Sequence, residues 1–366
     1  MFLRNRIQHP STAHHAVGID ISDGSLELAN LGEQRDGNLT LHDVARVELD
    51  PATIVHGIIN NTKLLRSALA SLLAQAKMDP RGLHVVSALP DNQVIVKAVP
   101  LHGIEHSTSY EALDTLAHSL ASSLNLKIKR PIIRWKYNAH SHGGEELLLF
   151  ITDARYVQQW RTFFKRDGMN LVALEMESLA LGRALIQKCA HDENIGIIDF
   201  GYRHTSLSIF DYSGLRHSFS IEGGGHALTA LLARHLELSF ADAEKLKIKT
   251  KLTKRDGSGA SVVMQEHLTA ILQGVHESIL ACRLPLKKIF ITGGGAHIGD
   301  IETLTESIIG FTVLQGTLWI HPMRRKNISL ADHSSLELED DLFAGAMGLA
   351  IRGHSRYAIR KGVNFL

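Results

Sequence analysis

Two acids stand where a chain can do phosphate chemistry. Asp20 ends the apolar run 16–21 and leads into Ser22-Asp23-Gly24-Ser25, while Asp199 ends the run 195–198 and leads into Phe200-Gly201-Tyr202-Arg203-His204-Thr205. A carboxylate at the end of a buried strand, beside the N–H groups of a small-residue turn, suits a phosphate and a hydrated Mg²⁺. Amides of a tight turn form an anion-binding concavity, and magnesium keeps several of its waters. Asp20 with Ser22, Gly24 and Ser25 makes one jaw of such a site, and Asp199 with Gly201 and Thr205 the other. Either unit alone is equally an ordinary hairpin whose acid caps a turn. Their recurrence points to two related half-domains.

Glycines supply further pieces. Gly293-Gly294-Gly295 follow the buried strand 289–291, where the missing side chains let a ring or phosphate approach the backbone, although tight strand-to-helix packing explains them as well. Gly223-Gly224-Gly225 open a helix whose free N–H groups are expected to face an anion in the same cleft. Glu244 and Lys247, three apart, share a helix face as ligands or as a surface ion pair. Glu175 and Glu177 begin a helix, where they orient an attacking water or only complement the dipole. Strand ends and helix starts converging on one cleft fit a nucleotide best.

Positioning these residues takes an α/β framework. Hairpins are expected at 16–31 and 195–209, a helix with apolar Leu65, Leu69 and Leu72 at 61–76, and a strand at 83–89. A small α/β module follows at 84–170, with strands 94–99, 132–137 and 147–152, helices near 109–124 and 155–167, and an exposed hairpin tip at 138–146. Helices are expected at 175–189, 227–236 and 300–309, and a mobile loop at 245–261. Strands with interposed helices imply an α/β architecture.

The chain has 366 residues, 44% hydrophobic and 21% charged, which is a globular balance. It exceeds the roughly 250–300 residues at which one core stops growing, so more than one domain is expected. Lys and Arg number 39 against 38 Asp and Glu, so no basic field exists to draw the protein onto nucleic acid. Cys189 and Cys282 are too few for a disulfide framework or a cysteine zinc site and suit the cytoplasm. No secretory signal opens the chain, and the purest apolar stretch, 147–151, is far short of the ~18 residues of a membrane span. His14-His15 and His140-Ser141-His142 lack the i, i+4 spacing of helical zinc motifs.

The order Gly18-Ile19-Asp20-Ile21-Ser22-Asp23-Gly24-Ser25, Ile198-Asp199-Phe200-Gly201 and Thr292-Gly293-Gly294-Gly295-Ala296 resembles the phosphate 1, phosphate 2 and adenosine motifs of the actin-like ATPase superfamily. Within it the chain most resembles the PilM family, related to FtsA. Supporting segments are 174–181, 222–229, 239–247 and 344–353, so the likeness spans nearly the whole chain. It implies an actin-like, duplicated ribonuclease H-like fold. Subdomain 1A takes 1–83, 171–192 and 337–366, 1C takes 84–170, 2A takes 193–230 and 285–336, and 2B takes 231–284. ATP is then the cofactor, with Asp20 and Asp199 flanking Mg²⁺. Ser22, Ser25 and Thr205 touch phosphates, Gly293 to Gly295 lie against adenosine, Glu244 and Lys247 hold ribose and purine, and Glu177 is the candidate catalytic residue. Three departures bear on hydrolysis: Glu27 replaces a family Lys, Gly223 to Gly225 replace Gly-Gly-Asn, and Arg203 and His204 are bulky in the second turn. Glu27 then points away or weakens nucleotide affinity, unless Arg203 supplies the missing charge. Weak or no ATPase activity is expected.

The likeness further implies a type IV pilus assembly scaffold of twitching motility. It would bind the N-terminal cytoplasmic peptide of PilN between 1A and 1C, and through PilN reach PilO. Membrane association would be indirect, on the cytoplasmic face of the inner membrane, in a possible homo-oligomer ring. An FtsA-like membrane-associated filament protein and a small-molecule kinase of the same fold are the alternatives. The family's partner segment reads roughly Ile-Asn-Leu-Leu-Pro, and residues 362–366 read Gly-Val-Asn-Phe-Leu. These residues either occupy the same groove and compete, or form a frayed terminus with a chance likeness.

Overall fold

The computed structural model describes residues 16–33, 39–104, 108–141, 144–186, 189–191, 193–253, 259–316, 328–330, 340–354 and 362–366. His14, His15 and His142 lie outside these residues.

The chain opens with an antiparallel hairpin of β1 (Val17–Ile21) and β2 (Ser25–Glu33), extended by β3 (Leu39–Glu48). After the short pair β4 (Ile54–Val55) and β5 (Ile58–Ile59), Asn61 caps α1 (Thr62–Gln75) by accepting the N–H groups of Lys63 and Leu64. That helix buries Leu65, Leu69, Leu72 and Leu73 on one face. Next come β6 (His84–Leu89), β7 (Val94–Pro100), α2 (Tyr110–Ser123), β8 (Pro131–Ser141), β9 (Gly144–Asp153), α3 (Ala154–Arg166), β10 (Asn170–Met176) and α4 (Glu177–Leu185). The second half holds β11 (Ile195–Phe200), β12 (His204–Asp211), β13 (Gly214–Glu222), α5 (Gly225–His235), α6 (Phe240–Lys249), α7 (Ala260–Cys282), β14 (Lys288–Thr292), α8 (Ile301–Ile309), β15 (Val313–Gln315), β16 (Ile328–Leu330) and α9 (Ala344–Gly353).

The expected duplication is present in the topology. One sheet has the order β10-β6-β1-β2-β3-β16 and another β13-β12-β11-β14-β15. Read from the strand that bears the Asp, each has two successive antiparallel pairings on one side and two parallel pairings on the other, and the first sheet adds β16, parallel to β3, at its end. Because β6 pairs with β1, residues 84–89 join the first sheet instead of the small module expected from 84. The small module is the sheet β7-β9-β8, packed on α2 through Leu113, Ala117, Leu147, Leu149 and Ile151. On the opposite face of β9, Leu148 and Phe150 join Trp160, Phe163 and Phe164 of α3 in the first core. Burial on both faces explains why 147–151 reads as an unbroken apolar run.

Two sequence expectations change. Residues 170–176 are a buried parallel strand, so Glu175 ends a strand and the helix begins only at Glu177. Within 245–261, residues up to Lys249 are helical and α7 starts at Ala260. In 138–146, Ala139, Gly144 and Glu145 are exposed as expected, while Asn138 and Glu146 at the base are buried and Glu146 takes Arg216 of β13 in a bidentate ion pair. A second buried network joins Glu175 to Arg183 of α4 and Arg352 of α9. No helix among the described residues is long and apolar enough to cross a membrane.

α9 lies against β1 and α4 because its sequence, Ala-Gly-Ala-Met-Gly-Leu-Ala-Ile-Arg-Gly, presents little bulk. A Cβ built at Gly348 would lie 2.0 Å from the Ala180 carbonyl oxygen. Gly348→Ala is therefore expected to lower unfolding free energy by about 2 kcal/mol or more, since backbone must shift to admit it. Urea unfolding checks this, and an unchanged midpoint would contradict the packing.

Candidate functional site

Asp20 and Asp199 occupy matching places. Asp20 pairs across strands with Glu27, and Asp199 with Ser206 on one side and Thr292 on the other. Side chains directly opposite on neighbouring strands share a face. Glu27 therefore does not point away: it faces Asp20, and Arg46, its own partner on β3, holds it with Nε to Oε1 at 3.0 Å. The cation that the first turn lacks on β2 is supplied one strand further out. The same pleat argument corrects Thr205. Its side chain is fully buried and donates to the Gly223 carbonyl at 2.9 Å, while Ser206, opposite Asp199, lines the cleft.

A cavity of about 60 Å³ lies between the two turns, lined by Ser22, Asp23, Asp91, Glu177, Asp199 and Arg203 among others. Asp20 lies behind it, against the α9 glycine Gly345. Asp91 escaped the sequence reading, although it repeats the pattern of an acid just past a buried strand, here β6. It accepts the Ser178 N–H at the start of α4 at 3.1 Å. Burial, joined by the charge of Asp91, raises the Asp20 carboxyl to about 6. Burial and the charge of Asp20 raise Glu27 to about 7 despite the opposing bonds from Ser25 and Arg46. Burial first, and then Asp20, Asp199 and Asp91, hold Glu177 well above the ordinary range. Glu175 differs: burial pushes it up, but Arg183 and Arg352 outweigh that and hold it low. With Arg183 and Arg352 on its carboxylate, it has no part in the acidic set.

The amides expected to be free are largely spent inside the turns. Ser22 Oγ accepts from Gly24 N at 3.2 Å and Ser25 N at 3.0 Å, so the first turn is closed by its own hydroxyl. Gly201 N donates to the His204 carbonyl, and Gly223, Gly225 and His226 N donate to Arg203, Gly201 and Tyr202 carbonyls. The second glycine triplet thus lets α5 sit directly on the second turn: a Cβ at Gly224 would lie 2.5 Å from the Gly201 oxygen. In the third, Gly293 has a φ of +82°, and a Cβ there would meet Asp199 Oδ1, while the space over Gly294 is open. Gly295 packs on Phe200. Lys247 is buried and reaches Glu244 Oε2 at 2.8 Å, Thr229 Oγ1 at 3.0 Å and the Gly225 carbonyl at 3.3 Å. The Glu244 and Lys247 pair is a tie between α6 and α5, next to the glycine triplet.

The two turns touch. Tyr202 lies over Gly24, Arg203 Nε meets Asp23 Oδ2 at 2.9 Å, and His204 Nε2 lies 2.9 Å from His56 Nδ1 and 3.0 Å from Asn92 Nδ2. Burial and His56 lower the His204 pKa. Asp23 is fixed in turn by the N–H groups of His56 and Gly57 at 2.6 and 2.8 Å. The cavity that remains has room for only a few waters. No three His, Cys, Asp or Glu among the described residues converge tightly enough to ligate a metal directly. This donor set suits a Mg²⁺ held through its waters. A nucleoside triphosphate needs hundreds of Å³, more than this cavity offers as the turns stand.

Comparison with known proteins places the whole chain. The model of the family described as type IV pilus assembly protein PilM matches residues 18–354. The structure superposes on a solved PilM–PilN type IV pilus biogenesis complex with a TM-score of 0.74 at 18% identity, covering 93% of this chain and 98% of that one. It superposes on MreB 5 of Spiroplasma citri bound to AMPPNP with a TM-score of 0.56 at 14% identity, covering 96% and 98%. These likenesses bear out the actin-like fold. Cell division protein FtsA of Neisseria meningitidis serogroup B is 25% identical over 109 residues, a match spanning 30% of this chain and about a quarter, 26%, of FtsA.

The raised carboxyls carry a pH signature. Between the ordinary Glu value and about 7, the folded chain holds a proton on Glu27 that the unfolded chain releases, so this group's share of stability falls as pH rises through that window. Glu27→Gln keeps an acceptor for Arg46 without the charge. Its stability relative to the parent should rise from pH 5 to pH 8 by on the order of 2 kcal/mol, read by denaturant unfolding at each pH. A relative stability that falls over this range would contradict the burial of Glu27 beside Asp20.

Proposed function

The chain belongs to the PilM family of type IV pilus assembly proteins, and from that premise we propose that it is an actin-like, ATP-binding scaffold for the N-terminal cytoplasmic peptide of PilN. One observation supports the nucleotide part: Asp20 and Asp199 hold matching places in two sheets of like topology, and the charges of both bear on Glu177. The solved PilM–PilN complex, which the chain resembles over nearly its full length, supports the partner.

In this reading Asp20 and Asp199 hold Mg²⁺ through water. Ser22, Gly24, Ser25 and Gly201 border the phosphates once the turns part, and Gly293 to Gly295 border the adenosine. Glu244 and Lys247 lie on its ribose and purine side, and Gly223 to Gly225 support the second turn. Bound Mg²⁺ would neutralise part of the acidic gap that raises the Glu177 carboxyl. Glu177 is the group proposed to hold a water, and hydrolysis is expected to be weak because Glu27 stands where the family has a Lys. Arg46 behind Glu27 takes the part of the family's Lys. PilN, and PilO through it, would hold the protein on the cytoplasmic face of the inner membrane, where copies can form a ring.

Calorimetric titration of the MgATP-loaded protein with a synthetic PilN N-terminal peptide tests the reading. Saturable binding is expected, lost when the peptide's Asn is changed to Ala, and an MgATP-loaded protein that takes up no peptide would sink it. Asp199→Asn is expected to weaken MgATP binding by about tenfold or more, roughly 1.4 kcal/mol, measured in the same instrument.

A further inference from the structure

Residues 362–366 lie along the outer edge of the first sheet. β10 is its end strand, so one side of that backbone has no neighbouring strand. Phe365 N–H donates to the Leu174 carbonyl at 2.9 Å, but the Leu174 N–H donates to a side chain, Oδ1 of Asn364, at 3.0 Å. The same oxygen accepts the Leu366 N–H at 3.2 Å, and Asn364 Nδ2 reaches the Val172 carbonyl at 3.5 Å. An amide alone offers an acceptor and donors from one short side chain.

Arginines from different elements hold the segment's main chain. Arg134 of β8, in the small module, donates to the carbonyls of Asn364 and Leu366, the latter at 3.0 Å. Arg352 of α9 donates to the Val363 carbonyl at 2.7 Å. Phe365 is 1% exposed, sunk in the first core, and Val363 and Leu366 pack against the same core. These contacts select an Asn flanked by apolar residues, with a large one following it. They are made to the peptide backbone and one amide, which any chain carrying that pattern presents.

We propose that the β10 edge, Arg134 and Arg352 form the partner's peptide groove, and that residues 363–366 are its resident competitor, displaced when a partner segment of the pattern apolar–Asn–large apolar–Leu enters. The inference rests on the proposed binding of a PilN peptide and adds which residues hold it and what must leave first. A tethered occupant acts at an effective concentration near millimolar, so it weakens the apparent affinity of any incoming peptide.

The test titrates the MgATP-loaded full chain and its Asn364→Ala variant with two synthetic peptides, the PilN N-terminal peptide and Gly-Val-Asn-Phe-Leu. Hydrogen exchange is followed in the unaltered protein, so the answer does not depend on how the variant folds. The PilN peptide should bind Asn364→Ala about tenfold or more tighter than the parent, and in the parent it should speed exchange at 362–366 while 170–176 stay protected. Equal affinity for both forms, with 362–366 unmoved, would overturn the competition and leave the scaffold reading standing. Binding of Gly-Val-Asn-Phe-Leu to Asn364→Ala without binding of the PilN peptide to either form would remove the partner and keep the groove. If neither peptide binds a folded Asn364→Ala protein, the groove itself is wrong.

Discussion

Like charges forced together organise this molecule. β1 and β11, and β6 just before its turn, deliver Asp20, Asp199 and Asp91 toward one narrow gap, where Glu27 and Glu177 join them. Burial raises the cost of each negative charge, and each charge raises its neighbours'. The surroundings answer in the ways available to a fold. Arg46 bonds Glu27 from the third strand and the Ser178 N–H meets Asp91, yet burial still makes these carboxyls hold their protons to higher pH.

The subdomains are locked elsewhere by the opposite device. Glu146 and Arg216 join the small module to the second sheet, and Glu175 joins α4 to α9 through Arg183 and Arg352. Buried pairs resist separation, because breaking one strands a charge away from water. The contact between the turns is of a mixed kind. The His56 and His204 rings meet at an exposed site, and the largely buried Arg203–Asp23 pair ties one turn to the other.

Much of this was legible in the sequence. Both hairpins, the acids that end their first strands and the glycine triplets show as local patterns, and α1 shows as a helix by its leucine spacing. Other parts were hidden for physical reasons. β10 is buried and nearly all apolar, so it lacks the alternation that separates strand from helix. α7, by contrast, packs against α5, α8 and β13 through Met264, Leu268, Ile271, Leu272, Val275 and Ile279, a helical spacing that was readable in the sequence. Thr205 and Ser206 are chemically alike, and only pairing with β11 decides which faces the cleft. Whether a turn's amides are free depends on where Ser22 Oγ and the carbonyls of 201–203 fall, which composition does not encode. Asp91 was readable by the rule that found Asp20, had the rule been applied to the end of β6.

α9 touches both ends of the story. Near its start, Gly345 lies against the Asp20 carboxyl, and in its last turn Arg352 grips the Val363 carbonyl. Two turns of helix, about 10 Å of stiff rod, separate those contacts. A slide or tilt of this rod that makes room around Asp20 also displaces the arginine at its far end. Thermodynamic linkage then works in both directions: if occupancy of the cleft alters the hold on a peptide, the peptide alters the hold on the cleft's occupant by the same factor. A protein wired this way reports on its partner to its nucleotide as faithfully as it reports on its nucleotide to its partner.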